Sequence, residues 1–211
     1  MALKPVAAYA LPAAGELPAA RVSWRLQAAR AALLVHDMQG YFLAVYQAHA
    51  APLAPMLARL KTVLDRCRLL DIPVFYTAQR GNQDRRDRGL QADWWGPGMQ
   101  AVPAHEAIVD VLAPAAGDQV LVKHRYSAFQ RSNLAELLRA RGRDQLLITG
   151  VYAHLGILAT AAEAFQRDIQ PFVAADAVAD LGRAEHDQAL AWIAASCGVP
   201  MATAAVLEAL Q

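Results

Sequence analysis

Short runs rich in Val, Ile and Leu recur along the chain, and the stretches between them carry apolar residues at helical spacing. That alternation constrains the fold more than any other feature. Fully apolar runs of this length read as strands buried on both faces, and the helix-period segments between them supply the crossovers of a parallel sheet. The expected strands are AALLVH (Ala31 to His36), IPVFYT (Ile72 to Thr77), QVLVK (Gln119 to Lys123), DQLLIT (Asp144 to Thr149) and PFVAA (Pro171 to Ala175), with a weaker sixth at Val199 to Ala202. Between them, Pro52 to Leu70 places Met56, Leu57, Leu60, Leu64 and Cys67 on one helical face, with Pro52 suited to a first turn. Asn133 is expected to cap LAELLRARG and Gly142 to stop it, while Leu155 to Gln166 and Arg183 to Ser196 supply two further helices. The segment Ala78 to Gly98 shows neither period and reads as a functional loop. The expected fold is α/β: a single doubly wound domain with a mainly parallel central sheet flanked by helices.

At 211 residues one core is expected, spanning residues 1–211, with residues 1–27 as an extended N-terminal arm. Pro5, Pro12, Glu16 and Pro18 break the arm's apolar runs before they reach signal-peptide or membrane-spanning length, and no later segment reaches it either. The composition is 56% hydrophobic and 18% charged with a net charge of +1, which gives no electrostatic footprint for nucleic acid or an anionic membrane. Cys67 and Cys197 are too far apart in sequence to suggest a disulfide framework or paired zinc ligands, and a cytoplasmic location is expected. Both cysteines continue apolar helical stripes and read as core.

Open parallel sheets bind ligands outside the carboxyl ends of their strands. That rule selects Asp37 after the first strand, Gln79 after the second, Lys123 at the end of the third, and Gly150 to Gly156 after the fourth. An ionised carboxylate beside a fully apolar strand is costly unless it is hydrogen-bonded or useful. Two readings of Asp37 stay open on pattern alone: a cap for the turn through Met38 to Tyr41, or a functional acid. Lys123 is likewise either a site residue or a side chain reaching solvent. The six histidines lack the short spacings of zinc motifs, so no metal is expected. His36 and Asp37, adjacent at a strand end, are expected to point to opposite faces.

The blocks LLVHDMQGYF (33–42), YTAQ (76–79), DRGLQADWWGPGM (87–99), LVKHRYSAF (121–129), GRDQLLITGVYAHLGIL (142–158) and DIQPFVAADAVAD (168–180) together resemble the isochorismatase-like hydrolases, in family order and over nearly the whole chain from Tyr9. Within that family the chain resembles siderophore-pathway isochorismatases and the phenazine-pathway hydrolases of 2-amino-2-deoxyisochorismate. The resemblance implies a doubly wound fold, a homodimer, no cofactor and a small-molecule dicarboxylate substrate. Many relatives use an Asp, Lys and Cys triad, and the position of their nucleophile, six residues beyond the glycine at 150, is Gly156 here. What remains, Asp37 and Lys123, resembles the vinyl-ether-cleaving branches.

The implied reaction is hydrolysis of an enolpyruvyl vinyl ether, in which Asp37 protonates the methylene carbon and its carboxylate then faces the oxocarbenium ion. A nearby Lys123 ammonium opposes the protonated form of Asp37. By resemblance Gln79, Arg88 and Lys123 bind substrate carboxylates, with the Gly156 backbone amide and the Tyr152 hydroxyl completing the grip; Phe42, Trp95 and Tyr126 wall the pocket. Arg88 also fits a solvated charge run with Arg85 and Arg86, and the aromatics also fit ordinary core. His124 stands where many relatives have Trp and Arg80 where they have Pro, both at the pocket rim.

Isochorismate is the expected substrate and its 2-amino-2-deoxy analogue the alternative. The absence of a carrier-protein segment before Gln211, together with DIQPF, leans toward the amino compound. Two other classes remain: a cysteine-type amidohydrolase with a displaced nucleophile, and a non-catalytic α/β binding module. Thiol alkylation separates the first, and loss of Asp37 or Lys123 would have marked the second.

Overall fold

The computed structural model describes residues 4–211, so Met1 to Leu3 of the expected arm lie outside the described residues. Six strands form one sheet in the order β3-β2-β1-β4-β5-β6, every pair parallel. They are β1 (Ala31–His36), β2 (Val74–Ala78), β3 (Gln119–Val122), β4 (Gln145–Val151), β5 (Gln170–Ala179) and β6 (Val199–Met201). The strand order reverses at β1, which pairs β2 on one side and β4 on the other. In a doubly wound sheet this is the point where crossovers leave to opposite faces and open a crevice.

The sequence explains why β1 is central. All six of its residues are buried; Leu33 and Val35 enter the core on one face, while Ala32 and Leu34 enter the core on the other. A strand apolar at both parities has to be covered on both sides. One cover is α1 (Leu53–Leu69), whose Met56, Leu60, Val63, Leu64 and Cys67 form a buried stripe at helical spacing. The other is built from α2 (Leu134–Ala140), α3 (Leu158–Gln166) and α4 (Arg183–Ser196), which bury Leu134, Leu138, Ala161, Ala164, Leu190 and Ile193. A last helix, α5 (Thr203–Ala209), adds Val206 to the α1 side.

Several boundaries differ from expectation. β5 runs ten residues to Ala179 because AADAVA is buried throughout, which a search for an apolar run ends too early at the aspartate. Pro52 is the N-cap of α1, one residue before its first turn. Asn133 makes no side-chain cap; Ser132 Oγ accepts from the Leu134 amide at 3.3 Å instead. The segment Ala78 to Gly98, expected as a functional loop, holds two short helical turns, Arg85–Arg88 and Gln91–Trp95. The expected helix from Leu155 begins as a wider π-type turn, Ala153–Ile157, before α3. The described part of the N-terminal arm lies over the α1 side with Val6 and Leu26 buried, and its Tyr9 hydroxyl lies 2.7 Å from the Asp180 amide nitrogen.

Candidate active site

Asp37 leaves the end of β1 with φ 52°, in the left-handed region that Asp tolerates better than most residues. The strand alternation ends at that residue. His36 Nδ1 therefore comes within 3.7 Å of Asp37 Oδ2, and the expectation that the two side chains diverge is corrected. Asp37 is buried, and both its oxygens are occupied: Oδ1 accepts from Thr77 Oγ1 at 2.7 Å and Oδ2 from Lys123 Nζ at 2.8 Å. Thr77 ends the paired register of β2 with β1, and Lys123 follows β3 with its amide bonded to Ala78. Three neighbouring strands thus bring three residues, distant in sequence, to one carboxylate.

Lys123 is only 3% exposed at its side chain, so the reading in which it reaches solvent does not hold. Burial alone pushes the Asp37 carboxyl toward its neutral form, but His36, Lys123 and the Lys123 and Thr77 hydrogen bonds outweigh it and hold its pKa below the usual carboxylate range. His36 goes the other way for a base: burial lowers its pKa against the pull of Asp37. Its Nδ1 lies 2.7 Å from the Val151 carbonyl oxygen and donates to it.

A pocket opens above this pair, and all nine residues selected from the sequence line it. Asp37 and Lys123 form part of its polar lining; Gln79, Arg88, Tyr152 and Gly156 surround them; Phe42, Trp95 and Tyr126 supply aromatic wall. Arg88 is 6% exposed, which removes it from the solvated charge run. Its Nε donates to the Gly96 carbonyl at 2.6 Å, and its guanidinium lies so close to Gly98 that a Cβ there would meet Nη1 at 2.5 Å. Arg85 and Arg131 pair with Asp93 and Asp87, whereas Arg88 makes no ion pair among the described residues. A buried guanidinium without a carboxylate, facing a pocket, is suited to an anion.

Trp95 Nε1 donates to the Tyr126 hydroxyl at 2.6 Å, tying the segment that carries Arg88 to the chain after β3. Gln79 is placed through its main chain, which exchanges hydrogen bonds of 2.7 and 2.8 Å with the buried Gln39 side chain. The Tyr152 hydroxyl donates to the Phe42 carbonyl at 2.6 Å. Its proton is therefore committed to main chain, which departs from the expectation that it helps to grip an anion.

Sequence reasoning did not select His36, Tyr41, Gln91 and Gly98 in the pocket lining, nor Thr77 bonded to Asp37, whereas Val151 and Leu155 fall within the selected stretch Gly150 to Gly156. The signal for His36 was present, since it adjoins Asp37, but the positive φ that brings its ring beside the Asp37 carboxylate has no sequence mark. Cys67 and Cys197 are buried in the two cores away from the pocket, and burial raises their thiols to about 12 and about 11. Among the described residues no group of three or more His, Cys, Asp or Glu is placed to hold a metal ion, and no helix is long and apolar enough to cross a membrane.

Comparison with known proteins places this geometry. The isochorismatase domain model matches residues 31–205. The chain is 46% identical to a Bacillus subtilis protein named isochorismatase over 211 residues, covering 100% of this chain and 68% of that one. It is also 46% identical to phenazine biosynthesis protein PhzD1 of Pseudomonas aeruginosa over 204 residues, covering 96% of this chain and 97% of that one. Among solved structures, a cysteine hydrolase from Pseudomonas syringae superimposes with a TM-score of 0.81 at 23% identity, covering 92% of this chain and 97% of the other; at that identity the likeness is one of fold.

Proposed function

The chain belongs to the isochorismatase family, and from that premise we propose that it is a hydrolase that cleaves the enolpyruvyl vinyl ether of isochorismate to pyruvate and 2,3-dihydro-2,3-dihydroxybenzoate by acid catalysis, without a covalent intermediate. The observation that carries this reading is the buried Asp37 and Lys123 pair at a pocket whose position 156 is glycine. An acid and a cation are present, and a nucleophilic side chain is lacking at the position where the family's cysteine is expected.

Asp37 gives its proton to the methylene carbon of the vinyl ether, and the double-bond electrons form the new C–H bond. The positive charge spreads over the carbon and the ether oxygen, with the Asp37 carboxylate close by to stabilise it. Water adds to that carbon and returns a proton to Asp37. The hemiketal then collapses: the carbon to ring-oxygen bond breaks, the leaving oxygen takes the hydroxyl proton, and pyruvate and the diol separate. Atoms balance as one substrate plus one water, and Asp37 is regenerated.

In the free protein Asp37 is held ionised. A substrate carboxylate placed at Lys123 draws the ammonium away from Asp37 and adds a second negative charge beside it. Both effects raise the Asp37 pKa toward the protonated form the first step needs. Arg88 takes the other substrate carboxylate, assisted by the Gln79 amide, while Phe42, Trp95 and Tyr126 exclude bulk water.

The same reaction on 2-amino-2-deoxyisochorismate is the second reading, favoured by the equal identity to the phenazine protein. Turnover of both purified compounds, measured side by side as pyruvate release, decides between them; release from neither would overturn the reaction. A homodimer and a cytoplasmic location belong to the same reading on family grounds, and light scattering checks the homodimer.

A further inference from the structure

His36 is a buried titratable side chain lining the pocket to which the proposed steps give no part. Its ring is pinned through Nδ1. Nδ1 lies 2.7 Å from the Val151 carbonyl, and Nε2 lies 3.4 Å from the Tyr126 carbonyl. The ring also faces Gly156 so closely that a Cβ at that position would lie 2.1 Å from its Cε1 and 2.6 Å from its Nε2. No real Cβ tolerates such a distance, and a buried ring fixed by its bond to the Val151 carbonyl cannot swing aside cheaply. The turn after β4 is thereby folded around the imidazole, with the Asp37 carboxylate 3.7 Å away on the same side.

We propose that His36 is a positioning residue for the proposed hydrolysis: its imidazole takes the volume of a side chain at 156, so that the turn presents main chain to the substrate at a fixed distance from Asp37. Gly156 and His36 form one unit. Each fits only because of the other, and together they set where the vinyl methylene can sit relative to the acid. The inference rests on the acid-catalysed reading of the site.

The test is a double-mutant cycle with Gly156→Ala, His36→Ala and their combination, with His36→Asn as the conservative variant. Gly156→Ala alone is expected to lower Tm and to cost about 10²-fold in kcat/KM, the scale of a misplacement near 1 Å. In the His36→Ala background the added methyl enters vacated space, and the same change lowers Tm far less. His36→Ala should lose about 30-fold or more in kcat with KM changed less than about threefold, because the acid is misplaced while the carboxylate contacts remain. The Asn amide can donate to the Val151 carbonyl, so His36→Asn should recover most of that kcat; a purely structural role would move Tm without this split. Additive Tm changes, or a His36→Ala kcat within about threefold of wild type, would overturn the proposal. The Tm cycle needs no substrate, so wild-type inactivity on both compounds would count against the reaction and its catalytic part alone, separately from the packing of His36 on Gly156.

Discussion

The Lys123 ammonium meets the Asp37 carboxylate at 2.8 Å with both side chains more than nine-tenths out of solvent. A buried pair of this kind costs desolvation on both sides, and removing one partner leaves the other charge uncompensated. Lys123→Met is therefore expected to destabilise the fold by about 3–5 kcal/mol unless Asp37 is neutralised as well. Adding Asp37→Asn to Lys123→Met should restore part of that loss. Denaturant unfolding of the two variants checks it, and a Lys123→Met protein as stable as wild type would contradict the buried pairing.

Asp37→Asn preserves size and the Thr77 contact but cannot protonate carbon. It should fold, bind substrate and lose about 10²- to 10⁴-fold in kcat, the usual contribution of a positioned acid. Wild-type turnover should slow in deuterated water because carbon protonation limits the rate. Retention of more than about a tenth of wild-type kcat would assign the proton to another residue.

The pH dependence of stability follows from the same pair. The native pKa of Asp37 lies below its ordinary value, so its ionised form contributes stability fully above the unfolded value, about 3.9. That contribution is lost as pH falls through the depressed native value. Melting curves of wild type and Asp37→Asn should converge across that acid range; a constant difference down to the lowest accessible pH would show that Asp37 is not selectively stabilised as the anion.

A second carboxylate supports the pocket from behind. Asp180, wholly buried at its side chain, accepts from the His154 amide and from His154 Nδ1, each at 2.6 Å, and so anchors the turn that carries Leu155 and Gly156. The Asp180 hydrogen bond raises the His154 pKa against the effect of burial. Its stabilisation is present in full below the unfolded histidine value of about 6.5 and is lost as pH rises through the raised native value. The Tm gap between wild type and Asp180→Asn should be widest in that lower range and narrow above it, and a gap independent of pH would deny His154 a charged role.

Arg88 is expected to act on binding. Arg88→Ala should raise KM and lower kcat/KM by about 10- to 100-fold, the effect of one lost charge-assisted contact. Unchanged steady-state kinetics would remove it from substrate recognition.

The two cysteines provide the control for covalent chemistry. The Cys67→Ala/Cys197→Ala protein, once folded, should keep its pyruvate release, since both thiols lie in the cores rather than the pocket. Near-total loss in a folded protein would reinstate a thiol mechanism.

Much of this molecule was determined by short-range pattern. AALLVH reads as a strand covered on both faces, the spacing of Met56, Leu60, Leu64 and Cys67 marks one buried helical stripe, and the rule for carboxyl ends of parallel strands selects Asp37, Gln79 and Lys123. Tertiary structure decided what depends on the exit of each strand and on neighbours distant in sequence. The positive φ of Asp37 turned its carboxylate toward Lys123 and His36, where alternation would have separated them. The carbonyl of Phe42 claimed the Tyr152 hydroxyl, and the imidazole of His36 filled the space beside Gly156. Periodicity reports which way a side chain points only while the backbone stays regular, and functional groups in this fold lie where the strands end.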